Sequence, residues 1–328
     1  MLQQSPDVGT VRAVLSRACR APSLHNSQPW RWRWDGATLD LFVDADRLLP
    51  ATDAFNRQGI LACGALLDHA QVAWAAAGWA ARTARCPEPG DRALLATLSF
   101  AGQCEPHEAD RQHSDAIDRR YTDRAPLAAP EAWTELEVRL RYLCRRHNSH
   151  VHTVDEGRRG ELDQLSRTTA TVRRHDPLYG KELVWWTGSG IQEAGGIPAE
   201  RLPAPAVAAR VPSERSFPPG PLGAGFGDIV PDAATIVVLS STDDTVESLL
   251  HCGEALSAVL LETTVAGMSS CVLTHMTELP SARAHVTELV GDPFPQVLVR
   301  IGRAVAPPPP RTPRRGTGEI LEVAPPHH

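Results

Sequence analysis

The sequence CGALLDHAQVAWAAAG at residues 63–78 has an echo at residues 252–267, CGEALSAVLLETTVAG. The Cys-Gly start and the closing glycine keep one offset of 189 residues, from 63 to 252 and from 78 to 267. Each copy is rich in small residues and apolar nearly all round, the pattern of a helix packed on several sides. The wider apolar stretches, 60–81 and 249–272, approach the length of a membrane span. They carry Asp68, His69 and Gln71 in one case and Glu254 and Glu262 in the other. Charges in those places are expensive in lipid, so both stretches read as central core helices.

Alternating strand patterns flank each copy. Residues 30–34 and 39–43 precede the first helix and 93–100 follow it; residues 235–240 precede the second and 296–301 follow it. Strand, long helix and strand in each half predict an α+β unit, repeated, with the helices stacked at the centre. The repeat is imperfect: the segment at Trp30 has no clean partner in the second half, where HNSHVHTV stands at 147–154. Between the halves, residues 187–232 are dense in glycine and proline, a composition that points to a lid, a binding loop or disorder. Residues 307–313 read as a polyproline strap.

The chain has 328 residues, 42% of them hydrophobic and 22% charged, as expected of a globular protein with a full core. Its formal net charge of -6 argues against a nucleic-acid footprint. The seven cysteines show no paired CxxC spacing and no signal segment opens the chain, which together predict reduced thiols and a cytoplasmic protein. Cys104, His107, Glu108 and His113 fit no closed zinc spacing and read as a solvated loop, so no metal site is expected. Gly223, Gly225 and Gly227 follow no strand pattern and make a poor dinucleotide loop.

Three segments carry chemistry. APSLHNSQPW, residues 21–30, holds Ser23, His25, Asn26 and Gln28 between Pro22 and Pro29. The prolines keep the backbone out of the helical region, which leaves those side chains free for a flat polar ligand or for a polar turn before a strand. RRYTDR, residues 119–124, offers Arg119, Arg120, Thr122 and Arg124, and PRTPRRGTGEIL, residues 310–321, offers Arg311, Arg314 and Arg315. Guanidinium forks suit phosphate oxygens, although Asp115, Asp118 and Asp123 could equally make the first of these a solvated helix end.

APSLHNSQPW resembles the flavin-contacting turn of the nitroreductase family, above all its actinobacterial Acg branch. RRYTDR resembles that family's Arg-Arg-Ser/Thr-x-Arg segment, which meets the flavin phosphate and one ring edge, and PRTPRRGTGEIL resembles its C-terminal strap. Thr274, His275, Met276 and Thr277 stand where the family's backbone reaches the flavin N5, but the family's usual Glu-Gly pair is replaced there. The resemblance implies an α+β nitroreductase-like fold in which two pseudo-repeats, 1–115 and 116–328, mimic within one chain the homodimer of single-unit relatives. The second half would contain the lid-like segment 187–232 and the strap 307–323, and the halves would form one compact unit. It further implies FMN as cofactor, one per chain, bound by Pro22, Ser23, His25, Asn26, Gln28, Arg119, Arg120, Thr122, Arg124, Thr274, His275, Met276, Thr277, Arg311, Arg314 and Arg315. NAD(P)H would be a transient electron donor and an electron-poor small molecule the acceptor. The chemistry would belong to the flavin, so no catalytic side chain is expected. A monomer without membrane or nucleic-acid partners follows. The alternative implied is an FMN storage or sequestration protein with a lid over the flavin.

Overall fold

The computed structural model describes residues 5–187, 195–223 and 231–324. In chain order the elements are α1 (Val8–Ala18), β1 (Trp30–Trp34), β2 (Thr38–Val43), α2 (Arg57–Ala76), β3 (Trp79–Arg85), β4 (Leu94–Gln103), α3 (Glu108–Arg119), β5 (Leu127–Ala128), α4 (Trp133–Arg146) and β6 (His150–Thr153). There follow α5 (Arg159–Arg174), α6 (Pro177–Trp185), α7 (Pro205–Ala208), β7 (Thr235–Ser240), α8 (Val246–Val265), β8 (Ser269–Leu273), α9 (His275–Glu278), α10 (Pro280–Val290), β9 (Pro295–Ala304), α11 (Thr317–Ile320) and β10 (Leu321–Val323). One sheet runs β10-β1-β2-β4-β3; the other runs β5-β9-β7-β6, with β8 also paired to β9.

The order β1-β2-β4-β3 recurs as β6-β7-β9-β8, with a helix before each set and a long helix after its second strand. The topological counterpart of β1 is therefore β6, inside the HNSHVHTV segment that sequence pattern alone leaves unpaired. The two apolar stretches also need correction. Each is a helix, a glycine turn and a strand, because Gly78 and Gly267 both take φ 78° and β3 and β8 start just beyond them. A buried strand is as apolar as a buried helix, so hydrophobicity alone does not mark the break.

Helices α2 and α8 cross in contact at two glycines. A Cβ on Gly64 would lie 2.2 Å from the Leu250 carbonyl oxygen and 2.9 Å from the Gly253 Cα. One on Gly253 would lie 2.2 Å from the Leu61 oxygen and 2.8 Å from the Gly64 Cα. Leu61 with Leu250, and Gly64 with Gly253, carry the same offset of 189, so the crossing reads alike from either helix. Further along, the Ser257 hydroxyl donates to the Asp68 carboxylate, a pair with that same separation of 189. The His69 Nδ1 lies 2.8 Å from that hydroxyl. Burial pushes the Asp68 carboxyl up to about 7, against the hydrogen bond from Ser257.

Trp30, Trp32, Trp34, Trp74 and Phe100 fill the core on the first sheet. The second sheet is covered on both faces: Val237, Leu239, Val297 and Val299 meet α4 and α8, while Ile236, Val238 and Leu298 join Leu162, Met276 and Val286. The chain end returns to the first sheet, where β10 lies parallel to β1 with Trp32 opposite Leu321. The expected strap therefore ends as a strand of the other half, and a boundary at residue 115 falls inside α3. His113 and Glu108 likewise belong to α3 and not to a loop. Segment 187–232 is not structureless where described: it holds α7 and a bridge of Pro203 with Leu222. Residues 188–194 and 224–230, with Gly225 and Gly227, lie outside the described residues. Among the described residues no helix is long and apolar enough to cross a membrane.

The glycine crossing yields a direct test. Gly64→Ala and Gly253→Ala should each destabilise the protein by about 1–3 kcal/mol or more, because the obstructing atoms are backbone and cannot rotate away. Urea unfolding measures this, and a loss below about 0.5 kcal/mol in both variants would show that the helices are not held at this distance.

Candidate active site

The turn after α1 is built from strained backbone. His25, Asn26 and Gln28 take φ values of 52°, 56° and 53°, a region that costs non-glycine residues about 1–3 kcal/mol each. Tertiary bonds hold the turn. The Gln28 N–H donates to Ser23 Oγ at 2.9 Å, and Asn26 Nδ2 donates to the Gly196 and Pro313 carbonyls at 2.9 and 3.2 Å. Gln28 Oε1 accepts from the Arg315 N–H at 2.9 Å. The outcome is a buried His25 whose Nε2 has no hydrogen-bond partner among the described residues. Burial, with the Arg215 and Arg124 guanidinium groups nearby, drives its pKa well below the usual imidazole value and keeps the ring neutral.

Beside the turn lies a cleft of about 400 Å³ walled by Arg20, Arg120, Arg201 and Arg314, with Arg119, Arg311 and Thr122 also at its surface. The four wall arginines form no ion pair among the described residues. Three of them donate to main-chain carbonyls instead: Arg120 to Arg20 at 2.8 Å, Arg201 to Pro310 at 3.0 Å, and Arg314 to Pro313 at 3.0 Å. Asp118 stays at the rim, shared between Arg17 at 3.0 Å and Arg311 at 3.7 Å. Burial first and mutual repulsion second lower these guanidinium groups, Arg120 to about 10 and Arg314 to about 9. Arg201 falls to about 10 through burial and Arg124. Nε atoms of Arg20, Arg120 and Arg314 are buried without partners. Unpaired positive charge under desolvation is unfavourable until an anion arrives.

Thr122 joins this cleft to a covered cavity of about 80 Å³. Its floor comes from Leu61 and Ala62 of α2 and Leu256 of α8, one side from Pro22, Ser23 and His25, and the other from Leu273, Thr274 and His275. Its cover is Glu214, Arg215 and Phe217. Arg215 is anchored in a buried ion pair with Glu278 and donates to Tyr179 Oη at 2.8 Å and Thr274 Oγ1 at 2.9 Å. Glu214 pairs with the fully buried Arg300 at 3.3 Å. Phe217, half-buried, touches the His25 ring edge-on at 6.0 Å and lies 5.2 Å from the Arg124 guanidinium. His275 has Nε2 2.9 Å from Ser166 Oγ, whose hydroxyl can donate to the Glu214 carbonyl at 3.2 Å. In that arrangement His275 carries its proton on Nε2, and the orphaned Nδ1 remains as an acceptor.

Over 316 residues the chain is 43% identical to the "Putative NAD(P)H nitroreductase acg" of Mycobacterium tuberculosis strain H37Rv, covering 95% of each chain. The chain belongs to the Acg branch of the nitroreductase family. It is also 39% identical to the uncharacterized protein Rv3127 of that organism, over 93% of this chain and 91% of the relative. A solved structure, the FMN and NADPH-dependent nitroreductase NfnB from Sphigopyxis sp. strain HMH, aligns over 64% of this chain and 97% of its own with 16% identity and a TM-score of 0.38. No family model matches the chain.

In this member of the Acg branch, Pro22, Ser23, His25, Thr122, Arg124, Thr274 and His275 meet at the cavity, and Arg119, Arg120, Arg311 and Arg314 at the cleft. The side chains of the other five expected residues are engaged with the chain itself, apart from Asn26 Oδ1, which is buried without a partner among the described residues. Asn26 and Gln28 clamp the turn, and Arg315 pairs with Asp44 at 3.2 Å while donating to the Gln28 and Trp30 carbonyls. Met276 is packed in the core, and the Thr277 hydroxyl donates to the Gln296 carbonyl at 2.8 Å. Sequence reasoning missed Arg20, Arg201 and the cover residues; Arg20 directly precedes the turn motif, whereas Arg201 and Phe217 lie in a segment with no period to flag them.

The cover's anchor can be tested alone. Arg215→Ala leaves the buried Glu278 with Arg173, at 3.5 Å, as its remaining ion-pair partner, so it should cost up to about 3–5 kcal/mol or release the cover. Limited proteolysis between residues 205 and 223 should then become rapid. Cleavage no faster than in the unaltered chain, with unchanged stability, would mean that Glu278 does not hold the cover.

Proposed function

We propose that this chain is an FMN-dependent oxidoreductase of the nitroreductase type, with the phosphate in the arginine cleft and the ring in the covered cavity. The observation that carries the reading is the set of buried and half-buried guanidinium groups without carboxylate partners, leading through Thr122 to a cavity edged by two neutral imidazoles with orphaned nitrogens. Arg120 and Arg314, with Arg20 and Arg201, would bind a phosphate dianion, which relieves their repulsion. Ser23, His25 Nε2 and His275 Nδ1 would meet the polar rim of the ring, and Leu61, Ala62 and Leu256 would support it. Bound flavin would supply hydride chemistry between NAD(P)H and an electron-poor acceptor; the chain's part is to bind, orient and exclude water.

At about 80 Å³ the cavity is smaller than the roughly 300–1,000 Å³ of ordinary ligand sites, so ring entry would require lining side chains such as Phe217 to move. That same cover favours a second reading, an FMN-holding protein with little turnover. A single flavin per monomeric chain fits the repeat. At the offset of 189, Arg85 and Cys86 replace Thr274 and His275, and Arg85 is held by Glu254 at 2.6 Å. The fused-dimer reading and the halves 1–115 and 116–328 rest on this offset and on the repeated strand order.

Arg120→Ala and Arg314→Ala should each weaken FMN binding by about 10- to 150-fold, the worth of one charge-assisted hydrogen bond, with riboflavin affinity nearly unchanged. Arg315→Ala should weaken both flavins alike, through the strap. Equal loss of FMN and riboflavin in the first two variants would remove the phosphate assignment. Anaerobic NADPH should bleach the bound flavin; an unbleached spectrum selects the holding role.

A further inference from the structure

We infer that His150, His152 and Asp292 form a binding site for a divalent transition cation of the zinc class, separate from the flavin cavity. His150 and His152 stand two residues apart on β6, so both rings project from one face of the strand. Asp292 follows α10, immediately after Gly291, whose φ of 70° turns the chain back toward β9. Its Oδ2 lies 3.0 Å from His150 Nδ1 and 3.0 Å from His152 Nε2. Its Oδ1 accepts the Phe294 N–H at 3.1 Å, which fixes the plane of the carboxylate.

Spacing and chemistry both suit a metal. Nitrogen and oxygen ligands at about 2.0–2.2 Å from a tetrahedral ion lie roughly 3.3 Å apart, close to the two separations from Asp292 Oδ2, and all three ligand atoms lie within 4.8 Å of one another. Two imidazoles and one carboxylate make a borderline donor set of the kind zinc takes, and the outward side leaves room for water as a further ligand. The carboxylate is nearly buried, whereas the His150 side chain is 54% exposed, so an ion can enter from solvent without unfolding. Binding needs the ring nitrogens that face Asp292 to be free of protons, each ring then carrying its proton on the opposite nitrogen. A second cluster, His147 with His251 and Glu254, is less suited, because Glu254 already takes two hydrogen bonds from Arg85. The bound ion would tie β6 to the turn before β9. Among the described residues β6 pairs only with β7, whereas its counterpart β1 is covered by β10.

Zinc titration by calorimetry of the full chain tests the assignment, with His327→Ala/His328→Ala as the background because the terminal histidines could bind metal independently. The expected result is one equivalent bound, weakened by about tenfold or more in each of His150→Ala, His152→Ala and Asp292→Asn. Co²⁺ should give the intense visible band of a four-coordinate site in the background protein and lose it in these variants. Metal-free melting curves identify any variant that fails to fold, and the exposed His150→Gln then serves in its place. Absence of saturable zinc binding below about 100 µM in the background protein, or binding unchanged by the site substitutions, would overturn the proposal.

Discussion

The close approach of α2 and α8 at Gly64 and Gly253 governs the rest of the molecule. No side chain larger than hydrogen fits at that contact, and each glycine touches the other's backbone. Leu61 and Ala62, a turn before Gly64, and Leu256, a turn after Gly253, thereby become the floor of one cavity. Both sheets take their places from the same two helices. The crossing is also where apolar packing gives way to a buried polar network, with Asp68, His69 and Ser257 hydrogen-bonded between the helices.

Charge is arranged in an opposite manner on the two sides of this axis. Toward the cavity, Arg20, Arg120, Arg201 and Arg314 are gathered with no carboxylate in ion-pair contact among the described residues, the cleft's Asp118 being held by Arg17 and Arg311. At the pseudo-equivalent place, Arg85 is neutralised by Glu254, whose carboxyl is brought down to about 2; burial opposes this lowering, while His251 and Arg85 drive it. A satisfied ion pair leaves no electrostatic demand for a ligand, whereas a repelling cluster does. The C-terminal segment serves both structure and charge. Arg315 locks it to Asp44 and Gln28, which positions Arg314 in the cleft one residue earlier.

Much of this architecture was legible in the chain. The offset between the two Cys-Gly helices pointed to the strand order that recurs, and alternating residues marked β1, β2, β4, β7 and β9 near their observed limits. What pattern could not show was β3 and β8, hidden in apolar runs where a left-handed glycine ends each helix, or β6, a four-residue strand with Val151 as its single apolar residue. Within the site, the motif residues did converge, but a motif does not reveal which polar groups its own backbone consumes. Asn26 and Gln28 are needed to hold three left-handed residues in place, and only the folded turn makes that need visible. The cover residues belong to an aperiodic segment anchored by Arg215 and Glu214 to partners distant in sequence, a relation that local reading does not reach.

The central claim is that two helical halves of one chain assemble a single anion-demanding flavin site. Native mass spectrometry of the protein after saturation with FMN, and again with riboflavin, addresses it most directly. The account predicts a 35.5 kDa chain that carries one FMN as a monomer and holds riboflavin far less well. Flavin found only in dimers, two flavins on each chain, or no retained FMN would contradict it.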